Sequence, residues 1–556
     1  MALSRVERLQ VWLFKALTGL LFALFRFFSP RGSAALSGKR LPPVGHPLLL
    51  ESATQLARKI RRKEVSSVEV VQAYIDRIQE VNPFLNAVIK DRFAAALQEA
   101  AQVDKLIEEE TGGEDVLEDR LPFLGVPLSV KESFSLQGMP FATGLVSRRG
   151  VVATVDAPPV ALLKRAGAIP MGVTNTSELC MWMESHNHLH GVTNNPYDLE
   201  RIPGGSSGGE GSILGAAGAV IGVGSDIGGS IRMPCFFNGI FGHKTTPGVV
   251  SHDNQHPQCS GRQEEYVSTG PMCRYAEDLL PMLRIMAGPK ASMLSLDAEV
   301  DLKKLRFFTI PHDGGSPFTS PVSRELIDVQ RKVAERLEAD LGVEVREVRL
   351  PELRYGFPIW DTYMALRDDD GKPPRPFAEL MGDSGPPAWP LWELLKWLVG
   401  RSEHTMAAIG KVDVPPPCVC VCVAALGQCR VCVSGLALVE MTRRSKPAPF
   451  IVQQKEKLQR EVEELLGTDG VFLYPSHPRV APRHHHPLFR PFDFAYTGII
   501  NILGLPVTQC PLGLGEEGLP LGVQVVAGRL QDHLSLAVAL YLEKTFGGWT
   551  EPGGKP

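Results

Sequence analysis

The chain has 556 residues, 44% hydrophobic and 22% charged, with a formal net charge of −4. That length is enough to bury a sizeable core, and the balance is that of a globular protein. No basic face or stripe is present to neutralise phosphates, so nucleic-acid binding has no electrostatic basis and no nucleic-acid partner is expected.

The N-terminus departs from this balance. Residues Val11 to Phe28 are apolar except for Lys15, Thr18 and Arg26. Such a stretch is at the short end of what spans a bilayer. We expect a retained anchor, spanning or interfacial, at residues 1–28. The competing reading is a cleaved signal peptide, with Arg5 and Arg8 as its basic start and Ser33-Ala34-Ala35 as its cleavage site. Basic residues on both sides leave the orientation open. Ser29 to Gly45 is rich in Pro, Gly and Ser and reads as the core of a linker over 29–47, ahead of one large domain over 48–550.

Helices come next. Ser66 with Glu69 makes a capping-box start for a helix through about Gln79, with Val68, Val71, Tyr74, Ile75 and Ile78 on its apolar face. A second helix covers Arg92 to Glu109. A strand over Leu124 to Val130 runs straight into Lys131, and a helix over Val160 to Arg165 then precedes a strand over Ile169 to Val173. Glu210 to Leu214 reads as a short helix and Ala219 to Gly224 as a buried strand. Leu305 to Thr309, Ser323 to Leu341 and Val343 to Val348 continue the alternation. A helix over Val452 to Leu466 is followed by strands at Val471 to Tyr474, Pro506 to Cys510 and Gly522 to Ala527, and by a closing helix over Asp532 to Lys544. The class is α/β, with no fixed-period repeat.

Lys411 to Gly435 breaks the style of the rest. It carries three consecutive prolines, the run Cys418 to Val423, and five of the ten cysteines. The alternation suits a strand, and no second well-spaced pair or histidine completes a zinc set. The other cysteines are scattered and read as reduced, buried small hydrophobes. His484-His485-His486 lies between Pro482 and Pro487 and reads as a surface loop rather than a metal site. No metal or cofactor is expected.

Two glycine–serine blocks carry the chemistry: Gly204-Gly205-Ser206-Ser207-Gly208-Gly209 and Asp226-Ile227-Gly228-Gly229-Ser230. They place hydroxyls on backbone with few shielding side chains, where a ligand can approach main-chain N–H groups. A serine hydroxyl needs a base. None of the fourteen histidines sits in a triad motif, and neither block forms a Gly-x-Ser-x-Gly elbow. Lys131 follows the apolar strand end Leu128-Ser129-Val130, where desolvation would lower its pKa and fit it to serve as base. The turn Ile227-Gly228-Gly229-Ser230 can aim several N–H groups at one point and so form an oxyanion hole.

Taken together, Lys131, the block with Ser206 75 residues on, Ser230 24 residues later and the following Ile231-Arg232-Met233-Pro234 resemble the amidase-signature family of serine hydrolases. The resemblance covers about residues 50 to 545, apart from the cysteine-rich segment. It implies a large, mixed, twisted sheet flanked by helices on both faces. It also implies a Ser–Ser–Lys triad in which Ser230 attacks the carbonyl to give an acyl-enzyme, Ser206 relays protons and neutral Lys131 accepts and returns them. The Gly205–Ser206 bond is expected to be cis. Ser207 is expected to support the lysine, and Asp226 and Arg232 to hold the nucleophile loop.

Within the family, the anchor and the texts Gly470 to His477 and Gly504 to Pro511 point to members that cleave long-chain fatty-acid amides. The implied substrates are N-acylethanolamines and primary fatty amides, and the implied setting is a membrane, at the endoplasmic reticulum or a lipid droplet. The family pattern would join Ile409-Gly410 directly to Leu436-Ala437, so 411–435 reads as an insertion.

Other readings stay open. The same fold could serve small or peptide amides, or the insertion could impair catalysis. A dinucleotide site is disfavoured because Gly222, Gly224 and Gly228 give GxGxxxG. Chain-length and head-group preference, membrane side and oligomeric state, a homodimer among the options, are not fixed by the sequence.

Overall fold

The computed structural model describes residues 38–110, 113–411 and 449–553. The expected anchor at 1–28 and all of the insertion after Lys411 lie outside the described residues. Among those described, no helix is long and apolar enough to cross a membrane.

The described residues form thirteen strands, in chain order β1 (Val88–Asp91), β2 (Pro127–Lys131), β3 (Ile169–Thr174), β4 (His186–Asn187), β5 (Gly191–Val192), β6 (Ile221–Asp226), β7 (Phe241–Lys244), β8 (Ser268–Cys273), β9 (Arg306–Thr309), β10 (Val345–Glu347), β11 (Gly470–Tyr474), β12 (Val507–Leu514) and β13 (Pro520–Ala527). Eleven form one sheet in the order β1-β3-β2-β6-β8-β7-β12-β13-β11-β9-β10, and β4 pairs with β5 alone. The sheet is mixed: β2 runs parallel to both β3 and β6, whereas β6, β8, β7, β12, β13 and β11 alternate in direction. The fold is α/β, a large mixed sheet flanked by helices, as the sequence implied.

Burial explains why periodicity is faint in the central strands. Every residue of β2, β3, β6, β7 and β8 is buried, and a strand covered on both faces reads as a continuous run rather than an alternation. The capping box at Ser66 and Glu69 starts a helix as expected, but the helix reaches Leu85 rather than Gln79. Pro83 sits within it, and left-handed Asn86 ends it (φ 48°).

A satellite core stands beside the main one. Helices Phe377–Gly382, Pro390–Leu398 and Met406–Ile409 enclose Leu145, Leu179, Met381, Leu394, Ala408 and Ile409. Leu179 belongs to the segment after β3, so this subdomain rests directly on the edge of the site.

Candidate active site

The carboxyl ends of three neighbouring parallel strands meet at one point. β2 ends in Lys131, β6 ends in Ser225-Asp226, and β3 leads into Asn175-Thr176. The registers Val130 to Val223 and Lys131 to Thr174 set these ends side by side. The carboxyl edge of parallel strands is the usual ligand edge of an α/β sheet. Lys131 is fully buried. Its Nζ donates to Ser206 Oγ at 2.7 Å and to Ser225 Oγ at 3.0 Å. Burial pushes its pKa below 10.5, opposed by the nearby Cys180 thiol, Asp226 and Glu210.

Ser206 and Ser230 each stand just before a helix, Gly208–Gly215 and Arg232–Phe237 respectively. The Gly205–Ser206 peptide bond is cis, as expected. No side chain fits at Gly205, because a Cβ there would lie 2.3 Å from Trp182 O. Ser207 N–H donates to Ser230 O at 3.2 Å and ties the two serine loops together. Thr176 Oγ1 donates to Ser206 O at 2.8 Å. Of Lys131, Ser206 and Ser230, the last is the most exposed, at 8%, and its Oγ has no hydrogen-bond partner among the described residues.

The nucleophile loop is held from below by a buried ion pair. Arg232 Nε and Nη2 donate to the two carboxylate oxygens of Asp226 at 3.0 and 2.8 Å. Its remaining donors reach Thr497 O at 3.0 Å, Gln524 Oε1 at 2.7 Å and Asn501 Oδ1 at 2.5 Å. All five guanidinium donors are therefore used. Burial alone would push Asp226 up, but Arg232, Lys244 and Asn501 hold it well below the usual carboxylate range.

Asp226 also takes two loop amides, Gly229 N–H at 2.8 Å and Ile231 N–H at 3.0 Å. The sequence led us to count Ile227, Gly228, Gly229 and Ser230 as oxyanion donors, and the geometry changes that count. The Gly229 N–H is already bonded to the carboxylate, while those of Ile227, Gly228 and Ser230 have no acceptor among the described residues. Trp360 Nε1 holds Ile227 O at 2.9 Å and Thr497 Oγ1 holds Gly228 O at 2.6 Å. In a trans peptide the N–H points opposite to the C=O, so these two bonds also aim the Gly228 and Gly229 amides. Gly229 sits at φ 124°, and a Cβ there would lie 2.1 Å from Thr497 Oγ1.

Ser230 opens into a pocket. Its wall is apolar: Met181, Trp182, Met183, Met233, Trp360 and Phe494. Lys411 stands over the rings of Trp182, Trp360 and Phe494, 5.6 to 5.9 Å from their centroids. The wall segment is clamped at both ends by buried carboxylates. Glu178 accepts from His404 Nδ1 at 2.6 Å and Thr405 N–H at 2.8 Å. Glu184 accepts from His484 Nδ1 at 2.7 Å and His485 N–H at 3.1 Å. Burial would raise Glu184, but the His484 bond and the charges of His484, His485 and His186 bring it down to about 2. His484 and His485 thus face Glu184, and among the described residues no group of three or more His, Cys, Asp or Glu is arranged to hold a metal.

The structure brings Lys131, Ser206, Ser230, Asp226 and Arg232 into one cluster. Ser207 differs from expectation. Its Oγ reaches Ser225 O at 3.5 Å, and the second hydroxyl on the lysine is Ser225. Sequence reasoning passed over Ser225, Gln255, Thr176, Cys180 and the Thr497–Asn501–Gln524 set. The buried strand was read to end at Gly224, one residue short of Ser225. The others come from distant segments with no local motif.

Comparison with known proteins agrees with this geometry. The amidase family matches over residues 69–370, a span that includes Lys131, Ser206 and Ser230. Fatty-acid amide hydrolase 2-A of Danio rerio is 66% identical over 553 residues, covering 100% of this chain and 99% of its own. Fatty-acid amide hydrolase 2 of Homo sapiens is 52% identical over 555 residues and covers 100% of both chains. A solved fatty acid amide hydrolase superposes with a TM-score of 0.67 over 90% of this chain and 86% of that one, at 22% identity, a likeness of fold. The chain belongs to the amidase family, and it is an enzyme.

Proposed function

We propose that the protein hydrolyses long-chain fatty-acid amides at a membrane surface, through an acyl-enzyme on Ser230. The observation that carries this reading is the fully buried Lys131 amine 2.7 Å from Ser206 Oγ, beside a nucleophile loop with unpartnered amides. Neutral Lys131 takes the Ser206 proton as Ser206 takes that of Ser230, and Ser230 Oγ attacks the amide carbonyl. The amides of Ile227, Gly228 and Ser230 receive the oxyanion. The C–N bond breaks as the proton returns through Ser206 to the leaving amine. Water then attacks the ester along the same relay in reverse and releases the carboxylic acid.

The relay needs the uncharged amine, and burial favours it. The rate is expected to fall as pH drops through the lowered pKa of Lys131, giving an acid limb below 10.5. Lys131→Met is expected to lose this limb together with at least about 100-fold in kcat/KM. A profile of kcat/KM against pH for both proteins checks this, and an unchanged acid limb in Lys131→Met would remove the lysine from the mechanism.

Two features support a lipid substrate besides the names of the relatives. One is the apolar pocket. The other is helix Pro390–Leu398, which leaves Trp392 53% and Leu398 52% exposed, with Trp389, Leu395, Trp397 and Val399 also exposed. Large apolar side chains left exposed together along one short segment mark an interaction surface. Leu394 of this helix belongs to the same apolar cluster as Leu179, which precedes Cys180 of the pocket wall. The rings would enter the headgroup region with Lys396 and Arg401 at the polar boundary, as interfacial helices do. Trp392→Glu with Trp397→Glu is expected to raise KM several-fold for a vesicle-borne fatty amide and to leave turnover of a short soluble amide unchanged. Equal effects on both would count against the lipid-surface reading. Turnover of the short amide alone by the wild type would favour a small-amide hydrolase.

A further inference from the structure

Lys131 has two hydroxyl partners, and the proton relay uses one of them. Ser206 is the relay partner. Ser225, 3.0 Å from the amine, is itself met by Gln255 Nε2 at 2.8 Å. Gln255 lies on a loop fastened on both sides to the chain that follows Lys131. Ser135 N–H donates to Asn254 O at 3.0 Å, and His256 N–H donates to Ser133 O at 2.8 Å. Gln255 itself bridges Phe134. Its Oε1 is buried and has no partner among the described residues. The side chain therefore spends its hydrogen bonding on Ser225 and leaves its own oxygen unsatisfied, although buried polar groups are normally paired.

The donor count shows what this bond does. A hydroxyl oxygen accepts twice and donates once, and a neutral amine has one lone pair. Ser225 accepts from Gln255 and from Lys131, so both its lone pairs are engaged. One Lys131 N–H is thereby fixed on Ser225 and another is engaged by Cys180, so when the amine, which as the ammonium donates to Ser206, is neutral, its lone pair faces Ser206.

We propose that Gln255 is a positioning residue for Lys131: by donating to Ser225 it keeps that hydroxyl an acceptor, and so keeps the amine's lone pair on Ser206. This rests on the Ser–Ser–Lys reading above. Without the Gln255 N–H, Ser225 can rotate and donate its proton to the Lys131 lone pair in competition with Ser206. That bond favours the neutral amine, so the acid limb moves to lower pH even as the rate falls. Gln255→Glu acts in the opposite sense. A carboxylate accepts the Ser225 proton, leaves Ser225 accepting from Lys131, and by its charge favours the ammonium, so the limb moves to higher pH.

The test is kcat, KM and the pH profile of kcat/KM for the full chain in detergent-solubilised membranes, in wild type, Gln255→Met and Gln255→Glu, each with its thermal unfolding curve. Gln255→Met is expected to lose about tenfold in kcat with KM unchanged and to shift the limb down, while Gln255→Glu shifts it up. Gln255→Asn, one methylene too short to reach Ser225, replaces Gln255→Met should that variant not fold. Limbs unchanged in the folded variants, with rate losses that match lost folded protein, would reduce Gln255 to a structural role and overturn the proposal. Turnover by Ser230→Ala would instead remove the relay on which it rests, so the two failures are distinguishable.

Discussion

Ser230→Ala is expected to abolish hydrolysis, with kcat down by roughly 10⁴-fold or more, while the protein stays folded. The two halves of this expectation have separate reasons. The residual rate of a serine hydrolase without its nucleophile is what binding and the oxyanion donors alone supply. The fold should tolerate the change because Ser230 Oγ has no hydrogen-bond partner among the described residues, so its removal orphans nothing. A surface-like shift within about 0.5 kcal/mol follows. Labelling with a fluorophosphonate probe, wild type beside variant, with the modified peptide mapped, reads the first half. A thermal unfolding curve reads the second. Undiminished turnover in Ser230→Ala would sink the assignment.

Arg232→Met is expected to be the most destabilising single change at the site, at about 3–5 kcal/mol. It strands the Asp226 carboxylate in the interior without its counter-charge. Arg232 and Asp226 side chains are both 0% exposed, so solvent screening gives no relief.

The sign with pH is opposite in the two proteins. In the wild type the Asp226 pKa is held below its usual 3.8. The pair's contribution is therefore fully present above that value and lost as pH falls through the depressed one. In Arg232→Met burial is opposed only by Lys244, Asn501 and the loop amides, so the Asp226 pKa rises from its wild-type position. The variant is then relatively less destabilised as pH falls and the carboxyl takes a proton. Adding Asp226→Asn should recover part of the loss. Denaturant titrations of the single and double variants between neutral and mildly acidic pH check this. A loss under 1 kcal/mol in Arg232→Met would show that the pair does not hold the loop.

Much of this site was legible because its chemistry is compressed into local motifs. Gly228 and Gly229 precede Ser230 with Asp226 four residues ahead of it, and that text alone places a turn, a nucleophile and a carboxylate. The capping box at Ser66 and the amphipathic run before Leu341 were legible for a similar reason: helix signals are written within one or two turns.

What stayed hidden lies at long sequence distance. Asn501 and Gln524 reach Arg232 across 269 and 292 residues. Nothing in their own neighbourhoods distinguishes them from other polar residues on buried elements. Strands β7 and β8 were missed because they are buried throughout and carry His243, Lys244 and Ser268, which look polar in one dimension and are hydrogen-bonded inside the fold. Register decided the rest. One residue added to the expected end of β6 turns Ser225 from a loop residue into a neighbour of Lys131. The oxyanion donors were miscounted because a list of N–H groups does not reveal that one is already taken by Asp226.

The clamped pocket wall has an evolutionary consequence. Cys180 to Met183 hang between Glu178 and Glu184, and both carboxylates are tied to segments far along the chain. Of these four side chains only Cys180 bears on the reacting groups, through Lys131 and Thr176; the strand end that carries Lys131 and the helix starts that carry Ser206 and Ser230 show no hydrogen bond to the side chains of Met181, Trp182 and Met183. Substitutions there can reshape the cavity while the scaffold and the chemistry stay intact. Such an arrangement separates the inheritance of mechanism from the inheritance of substrate preference. Lineages sharing the same serine and lysine framework can then diverge in diet by editing one short suspended stretch.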